Sequence, residues 1–352
     1  MSNETLHAGG PISASLRDLP VSPLPTGKPI GDSQFRSGST SKLNARQNGS
    51  MANGRFAPSP TGDLHIGNLR TALVAWLFAR TSGSTFTVRM EDLDRVTASA
   101  EHAASQLNDL ETLGLDWDGE VVFQSDRFDR YFTAIDQLTA AGLTYPCFCS
   151  RREIAEAASA PHTHLPEGAY PGTCRELTET ERSERFAERG KAALRLRADH
   201  TQIRFEDTIC GPIVARVDDF VLRRADGVPA YNLAVVVDDA AQHVEEVVRA
   251  DDLLLSTPRQ IHLSGLLRLP VLSYAHIPLV LSTSGVRLAK RDGAVTLKER
   301  LGGGDTVQDV LSVLARSLGM AAEREMIELD DLLYRFDPDA IPKDPWVFDP
   351  AA

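Results

Sequence analysis

Apolar positions along this chain fall into runs of distinct period, and each period predicts an element. Leu69, Leu73, Trp76 and Leu77 recur at helical spacing, with no Pro or Gly after Gly67 until Gly83, so a helix follows His65 and runs through Arg80. Just before it, residues 55–57 read as a short buried strand. Pro58, Pro60 and Gly62 then force a turn, because proline fixes φ and glycine permits φ > 0. Residues 84–91 alternate and are rich in β-formers, which predicts a second strand. Strand, loop, helix, strand is a βαβ unit closing right-handed around a parallel sheet. A tight turn running into a helix start aims backbone N–H groups and the helix dipole at an anion, with His65 and Asn68 in its first turn.

Further along, 97–114 and 126–141 read as amphipathic helices, the second opened by Ser125-Asp126 and closed at Gly142. Residues 145–150 form a short strand. Thr178 and Glu181 make a capping box for a charged helix ending at Gly190. Stretches 192–197, 203–207 and 215–223 alternate as strands. The run 228–239, with five apolar residues at 233–237, reads as a buried parallel strand. A further strand spans 244–248, with Asp251 as a plausible cap beyond it. A helix starts at Ser256-Thr257-Pro258, and another covers 306–318.

With 352 residues, 42% apolar and 24% charged, the composition is that of a globular chain with room for one large or two ordinary domains. No apolar run approaches the length of a membrane span, and no signal pattern opens the chain, so a cytoplasmic location is the expectation. A net charge of −12 carries no global field for nucleic acid, although a local basic face would suffice. Residues 1–51 are rich in Ser, Gly, Pro and Asn and are expected to be disordered. Met51 stands immediately before the first strand and is an alternative start.

Four cysteines are too few for a disulfide framework. Cys147 and Cys149, two apart on one strand, face the same way and suit a tetrahedral metal in a reducing compartment. Further ligands on offer are His162, His164, Tyr170 and Cys174. Ligand chemistry alone selects Cys147, Cys149, Cys174 and one histidine, since phenolate is an uncommon zinc ligand. Buried cysteines without metal are the plainer alternative. Arg151, Arg152, Arg175, Arg195, Arg197, Arg204, Arg223 and Arg224 crowd into the same region, as a solvated face or a surface for phosphates. Glu91, Asp92 and Asp94 stand at the carboxyl end of the second strand, where a parallel sheet meets its ligand; the plainer reading of both aspartates is turn capping.

The stretch Pro58-Ser-Pro-Thr-Gly-Asp-Leu-His-Ile-Gly67 resembles the first signature of class I aminoacyl-tRNA synthetases in the version carried by the glutamyl/glutaminyl group. Asn68 stands where that signature usually has a second histidine. Arg287-Leu-Ala-Lys-Arg-Asp-Gly293 resembles the second signature, with Ala289 in the serine position. The resemblance implies an α/β fold: a Rossmann-type parallel sheet interrupted by an α+β zinc-containing insertion. The expected parts are a disordered extension (1–51), a first catalytic half (52–139), an acceptor-binding-like insertion (140–225), a second catalytic half (226–300) and a short helical C-terminal region (301–352).

The same resemblance implies site residues. Arg55, Ala57, Ser59, Glu91, Tyr231 and Arg249 would hold L-glutamate, with the guanidinium of Arg249 suited to a carboxylate. Pro58, Thr61, His65, Gly67, Asn68 and Lys290 would hold ATP, with His65 and Lys290 serving the chemistry and Mg²⁺ accompanying ATP. The zinc set of the shortened glutamyl enzymes implies Cys147, Cys149, Tyr170 and Cys174, with His162 and His164 as rivals to Tyr170. No Walker-type phosphate loop is present. Only some 60 residues follow Lys290, which leaves no room for an anticodon-binding domain. That implies the truncated group acting, as a monomer, on queuosine in the anticodon of tRNA(Asp). A truncated ligase for the tRNA 3′ end and a non-catalytic RNA-binding relative are the alternatives.

Overall fold

The helix that follows the Pro/Gly turn sits at the centre of the fold. The computed structural model describes residues 52–158, 169–288 and 295–350. The first half runs β1 (Gly54–Phe56), α1 (Ile66–Thr81), β2 (Phe86–Met90), α2 (Ala100–Thr112), β3 (Val122–Phe123) and α3 (Phe128–Ala140). Next come β4 (Thr144–Cys147), α4 (Arg151–Ala158), α5 (Glu179–Arg189), β5 (Ala193–Leu196), β6 (Gln202–Asp207), β7 (Gly211–Arg216) and β8 (Val221–Arg223). The chain continues through α6 (Tyr231–Ala241), β9 (Glu246–Ala250), α7 (Thr257–Leu267), β10 (Ser273–Ile277) and β11 (Val280–Ser282). It ends with α8 (Leu297–Gly302), α9 (Val307–Ser317), α10 (Leu329–Arg335) and β12 (Trp346–Phe348).

α1 is apolar almost all round because it is covered almost all round. Leu69, Leu73, Val74, Leu77 and Phe78 are buried in the largest core cluster, and Phe78 meets Phe336, just past the end of α10, edge-on at 5.2 Å. β1, β2 and β3 form a parallel sheet. A second sheet has the order β7-β6-β10-β9, with β6, β10 and β9 parallel. The two sheets meet where the Asn53 carbonyl accepts from Glu245 N–H at 2.8 Å and Arg55 Nη1 donates to the Val248 carbonyl at 3.1 Å. β4, β5 and β8 form a separate antiparallel sheet, and β11 pairs with β12. No helix among the described residues is long and apolar enough to cross a membrane.

The stretch 228–239 corrects the strand expected there, for it carries the helix α6. Leu233, Ala234, Val235 and Val236 are buried, so the helix is apolar on most faces, and a short apolar run does not distinguish that from a strand. The two aspartates that follow settle the matter. In a strand, adjacent side chains point to opposite faces; on the helix both turn inward, and both are buried. Asp238 accepts from Gln124 Nε2 at 3.0 Å, Arg127 Nε at 2.6 Å and Tyr131 Oη at 2.6 Å. Asp239 accepts from Arg89 Nη1 at 2.7 Å and lies 3.5 Å from Arg55 Nε.

The strand expected at 215–223 is likewise two strands. Between β7 and β8, Asp218 binds Arg259 at 2.6 Å and Asp219 binds Arg175 at 2.7 Å, which turns the chain between sheets. β4 stops at Cys147, so Cys149 lies beyond the strand predicted for it. α3 starts at Phe128, after a single 3₁₀ turn at Gln124–Asp126. The capping box of α5 and the left-handed Gly190 at its end follow the sequence pattern.

Asp238→Ala removes a fully buried carboxylate and strands its three donors, Gln124, Arg127 and Tyr131. Losing one partner of such a network is expected to cost about 3–5 kcal/mol, measured by urea unfolding. A loss below about 1 kcal/mol would show that the network does not hold α6 in place.

Candidate active site

Residues 57–64 cross from β1 to α1 under two braces from α2. Gln106 donates to the carbonyls of Ser59 at 3.1 Å and Gly62 at 2.6 Å, and the Pro60 carbonyl accepts from Ser99 N–H at 3.0 Å. His65 caps α1: its Nδ1 accepts from Gly67 N–H at 3.1 Å and Asn68 N–H at 3.4 Å. Asn68 Oδ1 in turn accepts from His65 N–H at 3.2 Å. This reciprocal cap uses N–H groups that the sequence pattern assigns to an anion, and Ile66 N–H goes to the Val295 carbonyl at 3.0 Å. The helix start therefore contributes its dipole and an imidazole rather than a cradle of bare amides. Because Nδ1 accepts, the neutral ring carries its proton on Nε2. A Cβ at Gly67 would lie 3.0 Å from the His65 ring, so any larger residue there would press on the ring and shift it by a few tenths of an ångström.

A cleft of about 630 Å³ opens over this turn, within the range of small-molecule sites. Arg55, Ala57, Pro58, Ser59, Thr61, His65, Asn68, Glu91, Tyr231 and Arg249 all line it. Gly67 lies behind the His65 ring. Lys290 and Ala289 lie outside the described residues. On either side of them, Leu288 lines the cleft and Thr296 bridges His65.

Three buried arginines give the cleft its electrostatics. Arg55 and Arg89 are both paired with Asp239, and Arg89 also reaches Glu91 at 3.2 Å. Burial opposes ionisation of Asp239, but the Arg89 and Arg55 guanidiniums hold its carboxyl below the usual range. Glu91 goes the other way: burial raises its pKa despite Arg89 and Arg55. Arg249 differs from the other two. Its Nε donates to His276 Nε2 at 3.0 Å, Nη1 to Tyr231 Oη at 3.3 Å and Nη2 to Thr257 Oγ1 at 2.8 Å. All three acceptors are neutral, and among the described residues no carboxylate forms an ion pair with it.

The family model for the catalytic domain of class I tRNA synthetases (E and Q) matches residues 52–352. The chain is 58% identical over 294 residues to the glutamyl-Q tRNA(Asp) synthetase of Nocardia farcinica, covering 84% of this chain and 92% of that one. It is 52% identical to the protein of the same name from Cutibacterium acnes, covering 79% of each. A crystal structure of a glutamate tRNA ligase from Elizabethkingia meningosepticum, in complex with its amino acid, superposes with a TM-score of 0.72 at 25% identity, covering 85% of this chain and 67% of that one. The chain belongs to the class I aminoacyl-tRNA synthetases of the glutamyl/glutaminyl group.

The synthetase carries a second cluster away from the cleft. The thiols of Cys147, Cys149 and Cys174 lie within 4.8 Å of one another, and Tyr170 Oη is 3.4 Å from Cys147 Sγ and 3.7 Å from Cys149 Sγ. Three converging sulfurs with a fourth donor beside them suit a borderline-soft ion such as zinc. The Cys174 thiol is drawn down to about 6 by its bond with Cys147, and Cys147 is pushed up to about 12 by that bond and by burial. The Arg195 guanidinium stacks over the Tyr170 ring at 3.7 Å. His162 and His164 lie outside the described residues.

Several of the arginines near this cluster are used internally. Arg175 pairs with Asp219, Arg195 donates to the Asp219 carbonyl, and Arg197 pairs with Glu176. Arg151, Arg152, Arg204 and Arg224 are exposed. Asp92 and Asp94 are turn residues, accepting from Ser125 and Thr97 respectively.

Sequence reasoning missed Arg89, Asp238, Asp239, Gln106, Asp207 and His276. The one available signal was charge embedded in apolar runs, as in Val88-Arg-Met90 and the two aspartates after 233–237. Gln106→Leu removes the donor to two turn carbonyls and is expected to lower stability by about 1–3 kcal/mol in urea titration. A change within about 0.5 kcal/mol would mean that the turn stands without this brace.

Proposed function

We propose that the synthetase activates L-glutamate with ATP, without needing tRNA, and transfers it to the queuosine base in the anticodon of tRNA(Asp). The observation that carries the glutamate reading is Arg249: a buried guanidinium facing a cleft, hydrogen-bonded among the described residues only to neutral groups. A side-chain carboxylate from the substrate supplies the missing counter-charge. Glu91 in the same cleft suits the substrate ammonium, which would restore the ionisation that burial disfavours. Arg55, Ala57, Ser59 and Tyr231 complete the amino-acid end. The queuosine half of the reading rests on the names of the relatives from N. farcinica and C. acnes.

In the first step an α-carboxylate oxygen of glutamate attacks the α-phosphorus of ATP. The bond to the bridging oxygen breaks, and pyrophosphate departs with the electron pair. Little proton transfer is required; the site aligns two anions and screens their charge. His65 supports this through its Nε2 proton and the α1 dipole, with Pro58, Thr61, Gly67 and Asn68 shaping the nucleotide end. Lys290 is assigned to the leaving pyrophosphate, a role supported by Leu288, which lines the cleft, and by Thr296, which bridges His65. Mg²⁺ bound to the ATP would offset the charge of its phosphates. In the second step a queuosine hydroxyl attacks the glutamyl carbonyl, the bond from that carbon to the phosphate oxygen breaks, and AMP leaves with the electron pair while the hydroxyl proton passes to a phosphate oxygen of AMP.

We assign the thiol cluster to one structural zinc held by Cys147, Cys149, Tyr170 and Cys174. When bound, zinc would clip together the segments around β4 and residue 170.

Arg249→Gln is expected to weaken glutamate use by about 2–4 kcal/mol, roughly 30- to 1,000-fold in KM for glutamate-dependent ATP–pyrophosphate exchange. Near-normal kinetics would remove Arg249 from the site. Labelled glutamate should pass to queuosine-containing tRNA(Asp) and not to queuosine-free tRNA(Asp) or tRNA(Glu). Transfer to tRNA(Glu) would favour a ligase acting at the 3′ end, and absence of exchange would favour a non-catalytic relative. Elemental analysis of purified protein should find one zinc per chain, lost in Cys174→Ser and depleted in Tyr170→Phe. Full retention in Tyr170→Phe would return the fourth ligand to His162 or His164.

A further inference from the structure

Behind Arg249 stands a buried pair with no counterpart at Arg55 or Arg89. His276 on β10 is opposite Arg249 on β9 in the parallel register, which puts the two side chains on one face. Asp207, at the end of β6, lies on the other side of the ring. Its Oδ2 is 2.6 Å from His276 Nδ1. Its Oδ1 accepts from the backbone N–H groups of Ile209 at 3.0 Å, Cys210 at 2.9 Å and His276 at 3.2 Å. His276 is fully buried and Asp207 nearly so.

The hydrogen bonds assign the protons. Asp207 is surrounded by donors, which favour its ionised, acceptor-only form. His276 Nδ1 must then donate, and in the neutral ring Nε2 is an acceptor. Nε2 receives Arg249 Nε–H at 3.0 Å and lies 3.2 Å from the Thr257 hydroxyl. Burial, the largest influence, holds the imidazole toward its neutral form, opposed by the bond to Asp207 and aided by Arg249.

We propose that the Asp207–His276 pair is a positioning device that holds Arg249 by a neutral acceptor, leaving its charge and its remaining N–H groups for the carboxylate of the substrate. A guanidinium has five N–H donors; among the described residues His276, Tyr231 and Thr257 take three, and two remain. Arg89 has the Asp239 carboxylate directly on its guanidinium and Arg55 shares that carboxylate at 3.5 Å, so the charge of both is partly offset. At Arg249 the carboxylate is set back by one imidazole ring. The guanidinium is thereby fixed in orientation with no carboxylate in direct contact among the described residues, Asp239 acting on it only at longer range. The proposal rests on the glutamate reading above, but its main prediction, the tautomer, does not.

Two measurements test it. Nitrogen NMR on the full chain labelled at histidine, with the His276 signals assigned by their loss in His276→Asn, should show Nδ1 protonated and Nε2 bare at pH 7. A proton on Nε2, or an imidazolium, overturns the proposal. Exchange kinetics then compare two substitutions of similar size. In His276→Gln the side-chain oxygen can take the place of Nε2 and hold Arg249. In His276→Asn the shorter amide reaches Asp207 alone. The expected result is a KM for glutamate raised roughly 10- to 100-fold in His276→Asn and about 3-fold or less in His276→Gln, with KM for ATP unchanged in both. Equal KM values for glutamate in the two variants, or a matching rise in KM for ATP, overturn it. Absence of exchange in the parent overturns the glutamate reading instead, and the tautomer measurement still decides the relay.

Discussion

The fold depends on burying two adjacent acids at the end of one helix against arginines from the other half of the sheet. Asp238 and Asp239 are each hydrogen-bonded by groups far away in sequence, with Arg89, Arg127 and Tyr131 coming from the first half of the chain. Charges buried this deeply are costly unless they are fully partnered, so the arrangement tolerates few alternatives. It sets the rotation of α6 and thereby the position of Tyr231 at its start. It also pairs Arg55, which lines the cleft, and Arg89, which contacts the lining residue Glu91.

That pairing makes Arg249 distinctive. Three buried arginines stand in the cleft lining or directly behind it, and a site built from them without discrimination would bind any anion. With one carboxylate shared by Arg55 and Arg89 and a neutral imidazole on Arg249, the buried guanidinium least compensated by direct contact is Arg249. The cap of α1 is economical in a similar way. His65 satisfies the amides of the first turn with its own Nδ1, so the orientation of the ring is fixed by the helix it starts.

Much of this was legible locally. The turn of Pro58, Pro60 and Gly62, the helix after it and the βαβ unit follow from residues close together in sequence, whose constraints on φ and periodicity act wherever the chain lies. The resemblance to class I synthetases, carried by ten consecutive residues and a second basic loop, is borne out by the family match. The strand expected at 228–239 was wrong for a reason of principle. A helix buried on most faces has no apolar stripe, and its β-branched residues imitate a sheet.

What the sequence alone determined, then, is the class of fold, the family and the residue types at the cleft, because motif spacing and backbone stereochemistry are local properties. What only the tertiary structure decided is which charges are compensated. Arg55, Arg89 and Arg249 look alike as letters, and His276 and Asp207 carry no motif that marks them. Their roles are set by partners between 2 and 193 positions away, and by burial, which converts a small difference in neighbours into a large difference in free charge.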